Sequence, residues 1–595
     1  MEYKARNEMN PAYMWDTSHI FPDTAAWEKA YKEAEALVNK LPALEGTLCV
    51  SAESLKKALD QLYETSQKVE LVYVYASLCK SGDNGDAVNQ NMEGKAMHLY
   101  VAFSTAVSFF DPEVLSIEEE TLNRYMEDPI LSGYRHILED TARGRAHTLD
   151  AKGEKMLAML GDAAEASSNT FDMFESVDMT FPAIQDENGQ TVQLTHGNFS
   201  VFRESKNQQV RKNSFEVYFG EFKKYINTLA AMYAGSVKMD SYYAQVRGYD
   251  SACERALFSN NVPISVYDSL VDAIHSGLPT MKKYLELRKK VLSLDTLNMY
   301  DLYVPMVDDV DFSITFEDAK LLVKKALAPL GERYGQLLDE AYENHWMDVY
   351  ENKGKTTGAF SCDVYGVHPY VLMNFTDTLD DAYTMAHELG HAMHSYFSAE
   401  ANDYANHDYR ILVAEVASTV NEVLLSKYLL KTETDPKKRA YILNHLLEGF
   451  RTTVFRQTLF AEFERKAHDM YKEGIPLTAE SLNQVYRELN ELYYEGAYIN
   501  ELQDIEWARI PHFYNAFYVY QYATGFCSAV AIADHILNTG DASGYLKFLS
   551  LGGSDYPIEE LKVAGVDLTK PETVQNALTV FAKTLDELTA LLDEI

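Results

Sequence analysis

Asp381-Ala-Tyr-Thr-Met-Ala-His-Glu-Leu-Gly-His-Ala-Met-His394 is the stretch on which the reading of this chain turns. It contains His387-Glu388-Leu389-Gly390-His391, an HExxH pattern. Residues four apart on an α-helix share a face, about one turn apart. His387 and His391 can therefore aim two imidazoles at one metal ion. Glu388 is rotated by about 100° from His387. It can reach the open side of such an ion and take a proton from water, the arrangement a zinc peptidase uses. The flanks agree with a site. Residues 370–375 read as a buried strand, and Thr378-Leu-Asp-Asp381 resembles a capping box with Asp in place of Glu. Ala382, Met385, Ala386 and Leu389 then recur at helical spacing. A helix that merely happens to carry two histidines is the competing reading, and the strand and cap weigh against it.

Two histidines do not hold a catalytic zinc; three protein ligands and a water are usual. Two candidates stand out. His394 lies on the same face but about 10.5 Å along the axis from His387, which leaves little slack for bonds of about 2.0–2.1 Å. Glu415, in Leu412-Val-Ala-Glu-Val-Ala-Ser-Thr-Val-Asn-Glu422, is a carboxylate in an apolar stretch. Burial without a partner is costly, and a metal is one partner that compensates. Glu415 therefore ranks above His394, with a solvent-facing glutamate as the alternative. Glu422, two turns on, is placed to orient a ligand histidine through its free ring N–H.

A second stretch of interest is Trp507-Ala-Arg-Ile-Pro-His-Phe-Tyr-Asn-Ala-Phe-Tyr-Val-Tyr-Gln-Tyr-Ala-Thr-Gly525. Tyr514, Tyr518 and Tyr522 are spaced by four and predict one helical stripe, with Tyr520 off it and His512 near the helix start. Peptide hydrolysis builds negative charge on the carbonyl oxygen, and Tyr O–H and His N–H donors stabilise that charge. A tyrosine-rich packing face is the other reading. Gly358-Ala-Phe-Ser-Cys362 and residues 370–375 are two candidate strands joined by a turn at 366–369. Gly358 and Ala359 are small enough to let an extended peptide add to the sheet edge; an ordinary short hairpin fits as well.

Composition bounds the rest. The chain has 595 residues, 47% hydrophobic and 24% charged, enough for a sizeable core. A formal net charge of −37 excludes non-specific binding to nucleic acid or anionic lipid. The five cysteines are scattered, with no CxxC pair, and point to reduced thiols rather than disulfides or thiolate metal sites. The start carries no apolar leader and no run approaches 18 apolar residues, so a cytoplasmic protein without a membrane span is expected. Amphipathic spacing predicts helices over 25–41, 55–65, 69–80 and 91–109, after an irregular arm over 1–25. Apolar alternation around Glu187-Asn-Gly-Gln190 predicts a β-hairpin. There the pattern changes, which sets a boundary near 200. Helices return over 201–295, 316–327 and 331–344, with 300–306 extended.

Taken together, Tyr300-Asp-Leu-Tyr-Val-Pro305, Gly358-Ala-Phe-Ser361, His387-Glu-Leu-Gly-His391, Ala414-Glu-Val-Ala-Ser-Thr419, Ile510-Pro-His-Phe-Tyr514, Tyr520-Gln-Tyr-Ala-Thr-Gly525 and Leu551-Gly-Gly-Ser-Asp-Tyr-Pro557 resemble the M3 family of zinc metallopeptidases, and most closely its oligoendopeptidase F branch. The ordered set spans about 200–590. The resemblance implies a mainly α, two-lobed metallopeptidase with a deep central channel and a small β-sheet beside the HExxH helix. It divides into a helical lobe over 1–200 and a peptidase domain over 201–595. It implies one Zn²⁺ per chain held by His387, His391 and Glu415, with Glu388 as general base. His512 and a tyrosine contact the substrate carbonyl; Tyr518 and Tyr522 come first, Tyr514 and Tyr520 behind. It further implies internal cleavage of short unstructured peptides. Other branches place a proline two residues after the ligand glutamate, where this chain has Ala417. A helical HExxH carboxypeptidase is the rival within enzymes, and a peptide-binding protein with a structural metal the rival outside them.

Overall fold

Side-chain caps and apolar spacing turn most of the chain into helix. The computed structural model describes residues 4–307, 310 and 312–594. Residues 4–23 form three short 3₁₀ turns in the expected irregular arm, whose first three residues lie outside the described ones. Asp23, Ser51 and Asp86 accept N-terminal backbone N–H groups of α1 (Thr24–Val38), α2 (Ala52–Gly82) and α3 (Ala87–Ala106). Two segments expected to be separate, 55–65 and 69–80, are one helix, because nothing between them is Gly or Pro. Trp27, Val72, Ala76 and Leu99 close the core of these three helices.

The expected hairpin is present as β1 (Ala183–Gln185) and β2 (Thr191–Gln193), antiparallel with Ile184 opposite Val192. Gly189 turns it at φ 75°, a conformation that favours glycine. The stretch 300–306 is not extended, as its apolar residues suggested. It enters through a 3₁₀ turn, Met299–Asp301, because the Asp301 carboxylate accepts from the Asn298 N–H at 3.0 Å and closes the chain locally.

A three-stranded sheet precedes the HExxH helix. β3 (Met347–Asp348) pairs in parallel with β5 (Tyr370–Leu372), and β4 (Phe360–Cys362) pairs antiparallel with β5, giving the order β3-β5-β4. The central strand is wholly buried, whereas β4 is an edge. The chain then enters α4 (Leu379–Ala401) through the capping box read from the sequence. The Thr378 hydroxyl accepts from the Asp381 N–H, and the Asp381 carboxylate accepts from the Thr376 and Thr378 N–H groups at 2.9 Å. The helix α5 (Ile411–Thr432) follows, and α6 (Arg456–Lys472) and α7 (Tyr520–Thr539) come later. Among the described residues no helix is long and apolar enough to cross a membrane.

The chain divides into two compact units, each discontinuous in sequence. The first comprises Met1–Ala146, Phe312–Tyr428 and Ile532–Val566; the second comprises His147–Asp311, Leu429–Ala531 and Asp567–Ile595. The boundary near 200 expected from the change of pattern falls inside the second unit. The first unit fastens its N-terminal arm with a buried ion cluster: the Asp348 carboxylate takes Arg6 Nη1 and Lys355 Nζ, each at 2.8 Å.

The second unit contains an interior network around Glu506. Its carboxylate accepts from Arg456 Nη2 at 2.6 Å, the Tyr486 hydroxyl at 2.7 Å and Gln503 Nε2 at 2.6 Å. Burial alone would raise this carboxyl, but Arg456 and then Arg509 hold it down to about 2. A carboxyl depressed in the folded state contributes stability above its unfolded pKa, and that contribution is lost as pH falls toward the folded value. Glu506 should therefore contribute roughly 3 kcal/mol at neutral pH that disappears between about pH 5 and pH 2. Urea midpoints measured from pH 7 downward should show Glu506→Gln less stable at neutrality and flatter in acid. Parallel curves for the two proteins would refute this assignment.

Candidate metal centre

Helices α4 and α5 place the candidate ligands, and cross-links between the helices hold them. Asn421 Nδ2 donates to the Ala386 carbonyl at 2.9 Å, and the Tyr383 and Ser426 hydroxyls are 2.8 Å apart. The closest approach is at Gly390, inside the HExxH pattern. A Cβ there would lie 2.6 Å from Ser418 Cα and 2.7 Å from the Ala417 carbonyl oxygen. Only glycine lets the two backbones come this near. A glycine inside a strongly helical pattern is itself a sign of close backbone approach, and the sequence reading passed over it.

At this separation three ligand-type atoms converge. His387 Nε2 and His391 Nε2 are 3.2 Å apart, and Glu415 Oε2 lies 3.5 and 3.8 Å from them. An ion with four ligands at about 2.0–2.1 Å has ligand–ligand edges of about 3.3 Å, so the triangle fits a small tetrahedral ion. The donor set, two imidazoles and a carboxylate, is of the type zinc accepts. Ser418 Oγ donates to Glu415 Oε2 at 3.1 Å and steadies the carboxylate. His387 Nδ1 lies 2.5 Å from Glu422 Oε1, the contact expected of Glu422. With the Nδ1 proton given to Glu422, the Nε2 lone pair faces the triangle.

Charge is concentrated here. Burial would lower the His387 pKa, but the hydrogen bond to Glu422 and then the Glu415 charge raise it to about 9. His391 moves the other way, to about 4, through burial and the neighbouring His387. Glu388 is buried beside them. Burial, with Glu415 and Glu422 adding to it, raises its carboxyl to about 7, against the pull of His387 and of the Ser361 backbone of the edge strand β4. A carboxyl near neutrality suits proton transfer in both directions.

His394 lies outside the triangle. It is 1% exposed, stacks on Tyr409 with ring centroids 3.6 Å apart, and touches Phe548. Gly358 sits at the start of β4 with φ 81°, and its carbonyl accepts from Asn374 Nδ2 at 2.8 Å. Ala359 links it to the strand. A second carboxylate–histidine group, Glu70, Asp363 and His407, also lies within 4.8 Å, but there Glu70 is taken by the Tyr404 hydroxyl.

The donor segment lies in the second unit. Its three tyrosines are not one helical stripe. Pro511–Tyr514 is a 3₁₀ turn, Phe517 has φ 58°, and helix begins only at Tyr520. The kink is held from a distance, because Glu464 Oε1 accepts the Phe517 N–H at 2.7 Å. No local pattern could have disclosed Glu464. The kink gathers His512, Tyr518 and Tyr522: the Tyr522 hydroxyl is 3.4 Å from His512 Nε2, and the Tyr518 and Tyr522 rings are 5.4 Å apart. Burial lowers the His512 pKa. Tyr514 stacks on Phe171, and Tyr520 is 1% exposed against Tyr267. Both are occupied by packing.

The model of Peptidase family M3 matches residues 201–580, and that of the Oligopeptidase F N-terminal family matches 113–181. Oligopeptidase PepF of Bacillus subtilis is 44% identical over 594 residues, covering 99% of this chain and 89% of its own. An oligoendopeptidase F homolog of Lactococcus lactis is 41% identical, covering 99% of both chains. Among solved structures, oligoendopeptidase-F from Enterococcus faecium is 37% identical with a TM-score of 0.75, covering 96% of this chain and 99% of its own. A Chlamydophila abortus structure is 34% identical with a TM-score of 0.93, covering 99% and 100%.

The glycine contact carries a prediction. Gly390→Ala should push α4 and α5 apart, destabilise by about 1–3 kcal/mol and weaken metal binding by roughly 10-fold or more. Gly335→Ala, on a helix with open space around the new Cβ, is the control. Chelator-competition titration and thermal melts read both effects. Equal metal affinity in the two variants would show that helix separation does not set the ligand spacing.

Proposed function

The chain belongs to peptidase family M3 and is a metallo-oligopeptidase that cuts within peptide chains; from that premise we propose a zinc enzyme acting on short, unstructured peptides, with one ion per chain. His387, His391 and Glu415 would hold the ion. The observation that carries the reading is their triangle of 3.2, 3.5 and 3.8 Å, with Glu388 buried beside it and Glu422 behind His387. A bound ion supplies Lewis acidity toward a peptide carbonyl and a water molecule.

The chain's own groups do the remaining work. Glu422 keeps the Nδ1 proton of His387 and so keeps its Nε2 turned to the ligand triangle. Glu388, poised near neutrality, takes a proton from the attacking water and passes it to the leaving amine. His512, Tyr518 and Tyr522 donate to the carbonyl oxygen as negative charge builds on it. Their mutual contacts support this, and Tyr514 and Tyr520, held in packing, drop out. The free edge of β4, entered through Gly358 and Ala359, accepts the extended substrate backbone by strand addition. That gives affinity with little regard to side chains. Five free cysteines suit a reducing compartment, and the cytoplasm is the proposed location.

Glu388→Gln should retain the metal while turnover of an end-blocked decapeptide falls by about 10²–10⁴. Glu415→Ala should lose the metal. Metal analysis of each purified variant and cleavage assays with chelator, then added zinc, separate these effects. Near-normal turnover by Glu388→Gln, or metal loss from His394→Ala but not from Glu415→Ala, would overturn the assignment. Failure to cut the end-blocked peptide internally would favour an exopeptidase.

A further inference from the structure

Arginines in the second unit outnumber the carboxylates that pair with them among the described residues; Arg288 and Arg451 are buried, and Arg203, Arg456 and Arg509 are half-buried. Arg288 and Arg451 share Glu448 through contacts of 2.7 and 2.6 Å. Arg456 and Arg509 share Glu506 at 2.6 and 4.0 Å. Arg203 has no carboxylate partner among the described residues; its guanidinium lies 3.8 Å from the centroid of the Tyr303 ring. Among the described residues, five guanidiniums thus face two carboxylates. A lysine could shed its proton to escape such a site, but a guanidinium cannot. A bound anion would balance the excess left by the described carboxylates.

The excess is centred on Tyr303. Arg451 also lies over its ring, 4.5 Å from the centroid. Arg203, Tyr303, Arg456, Tyr494, Gln503 and Glu506 line a cavity of about 10 Å³, the size of one water-sized sphere. Three buried donors around Tyr303 have no acceptor among the described residues: Arg203 Nε, Arg451 Nη1 and the Tyr494 hydroxyl. Arg451 and Tyr494 are 0% and 2% exposed. The Gln503 amide is not available to them, because its Nε2 is committed to Glu506 and Asn490. Tyr303 does not serve them either, since the two arginines meet its ring rather than its hydroxyl. Burial would raise the Tyr303 phenol, but Arg456, Arg203 and Arg451 bring it down to about 7. Even a full phenolate would balance only one of the three excess charges. Water could accept from the idle donors, but it would leave the charge unbalanced.

We propose that this cavity binds a small monovalent anion of halide size, held by Arg203, Arg456 and the Tyr494 hydroxyl, and that the anion stabilises the second unit. The cavity is small, about 10 Å³, which suits a single-atom anion better than phosphate or sulfate. The site also gives a role to the stretch 300–305, which the proposed catalytic residues do not include. Asp301 pairs with Arg211 at 2.7 Å, the Val304 carbonyl accepts from Arg288 at 2.6 Å, and Tyr303 is the platform for the arginines. The inference is independent of the residues assigned to catalysis.

The full-length, metal-loaded protein tests it. Thermal melts are compared in chloride, bromide and gluconate at one ionic strength and one pH. A saturable rise in Tm with either halide and not with gluconate is expected, as is an anomalous bromide peak in the cavity of crystals grown in bromide. Tyr494→Phe, which removes one donor and keeps the ring, should need several-fold more halide for the same rise. Arg203→Met should abolish the response; if it does not fold, the Tyr494→Phe titration and the wild-type bromide map decide alone. Identical melts in all three salts, or a cavity without bromide, would overturn the proposal. In that case the ionised Tyr303, read from phenolate absorbance near 295 nm, carries what compensation there is.

Discussion

The site depends on the contact between two backbones at Gly390. Metal chemistry tolerates little error in ligand position, and a helix offers only two good ligands on one face, four residues apart. The third must come from another element, so the separation of the two elements sets the geometry. Here the missing side chain of Gly390 brings α5 against α4 until Ser418 Cα would stand 2.6 Å from a Cβ. The bonds Asn421–Ala386 and Tyr383–Ser426 then fix the rotation of one helix against the other. Glu415 reaches the two histidines because of this spacing. Ser418, the residue nearest the glycine, also hydrogen-bonds the Glu415 carboxylate, so packing and ligand orientation are decided at one point.

The same closeness sets the protonation of the site. Three carboxylates and two imidazoles are packed into a region where burial disfavours charge. The hydrogen bond to Glu422 raises His387, while burial and the neighbouring His387 lower His391. Glu388 is the group pushed toward neutrality, because it is buried and faces Glu415 and Glu422 as like charges. The candidate ligands thus tune the proposed base. Any change that moves α5 would alter both the metal geometry and the readiness of Glu388 to exchange a proton.

What could be read from the sequence was whatever its own neighbourhood determines. The HExxH helix, the Thr378–Asp381 cap and the Asn188-Gly189 hairpin rest on interactions within a few residues, and each is present in the structure. Glu415 and Glu422 stood out for other reasons, the first as an acid in an apolar stretch that demands a partner and the second by its place two turns on along the same face; both lie against His387. Features set by remote contacts were not legible. The parallel strand β3 pairs across more than twenty residues. The kink at Phe517 is held by Glu464, over fifty residues away, and it breaks the stripe that the tyrosine spacing suggested. The turn after residue 298 is closed by Asp301, whose carboxylate also belongs to a buried pair with Arg211. The two units are stitched from three segments each, so no single change in composition marks their limits.

The two units pose opposite electrostatic problems. Around His387 the inward-facing atoms are acceptors, and the compensation they call for is a cation. Around Tyr303 the inward-facing groups are donors with surplus positive charge, and the compensation is an anion. The two solutions differ because the side chains differ. Imidazoles and carboxylates can gain or lose protons, so the first site can adjust its own charge. Guanidiniums cannot. Their charge persists at every pH at which the protein folds, and only a phenolate, a carboxylate or a bound ion can meet it. Glu448 and Glu506 are already committed, each to two arginines. The interior around residues 300–305 is therefore the part of this chain whose stability should depend most on the ions in its surroundings, apart from the residues proposed for the peptidase chemistry.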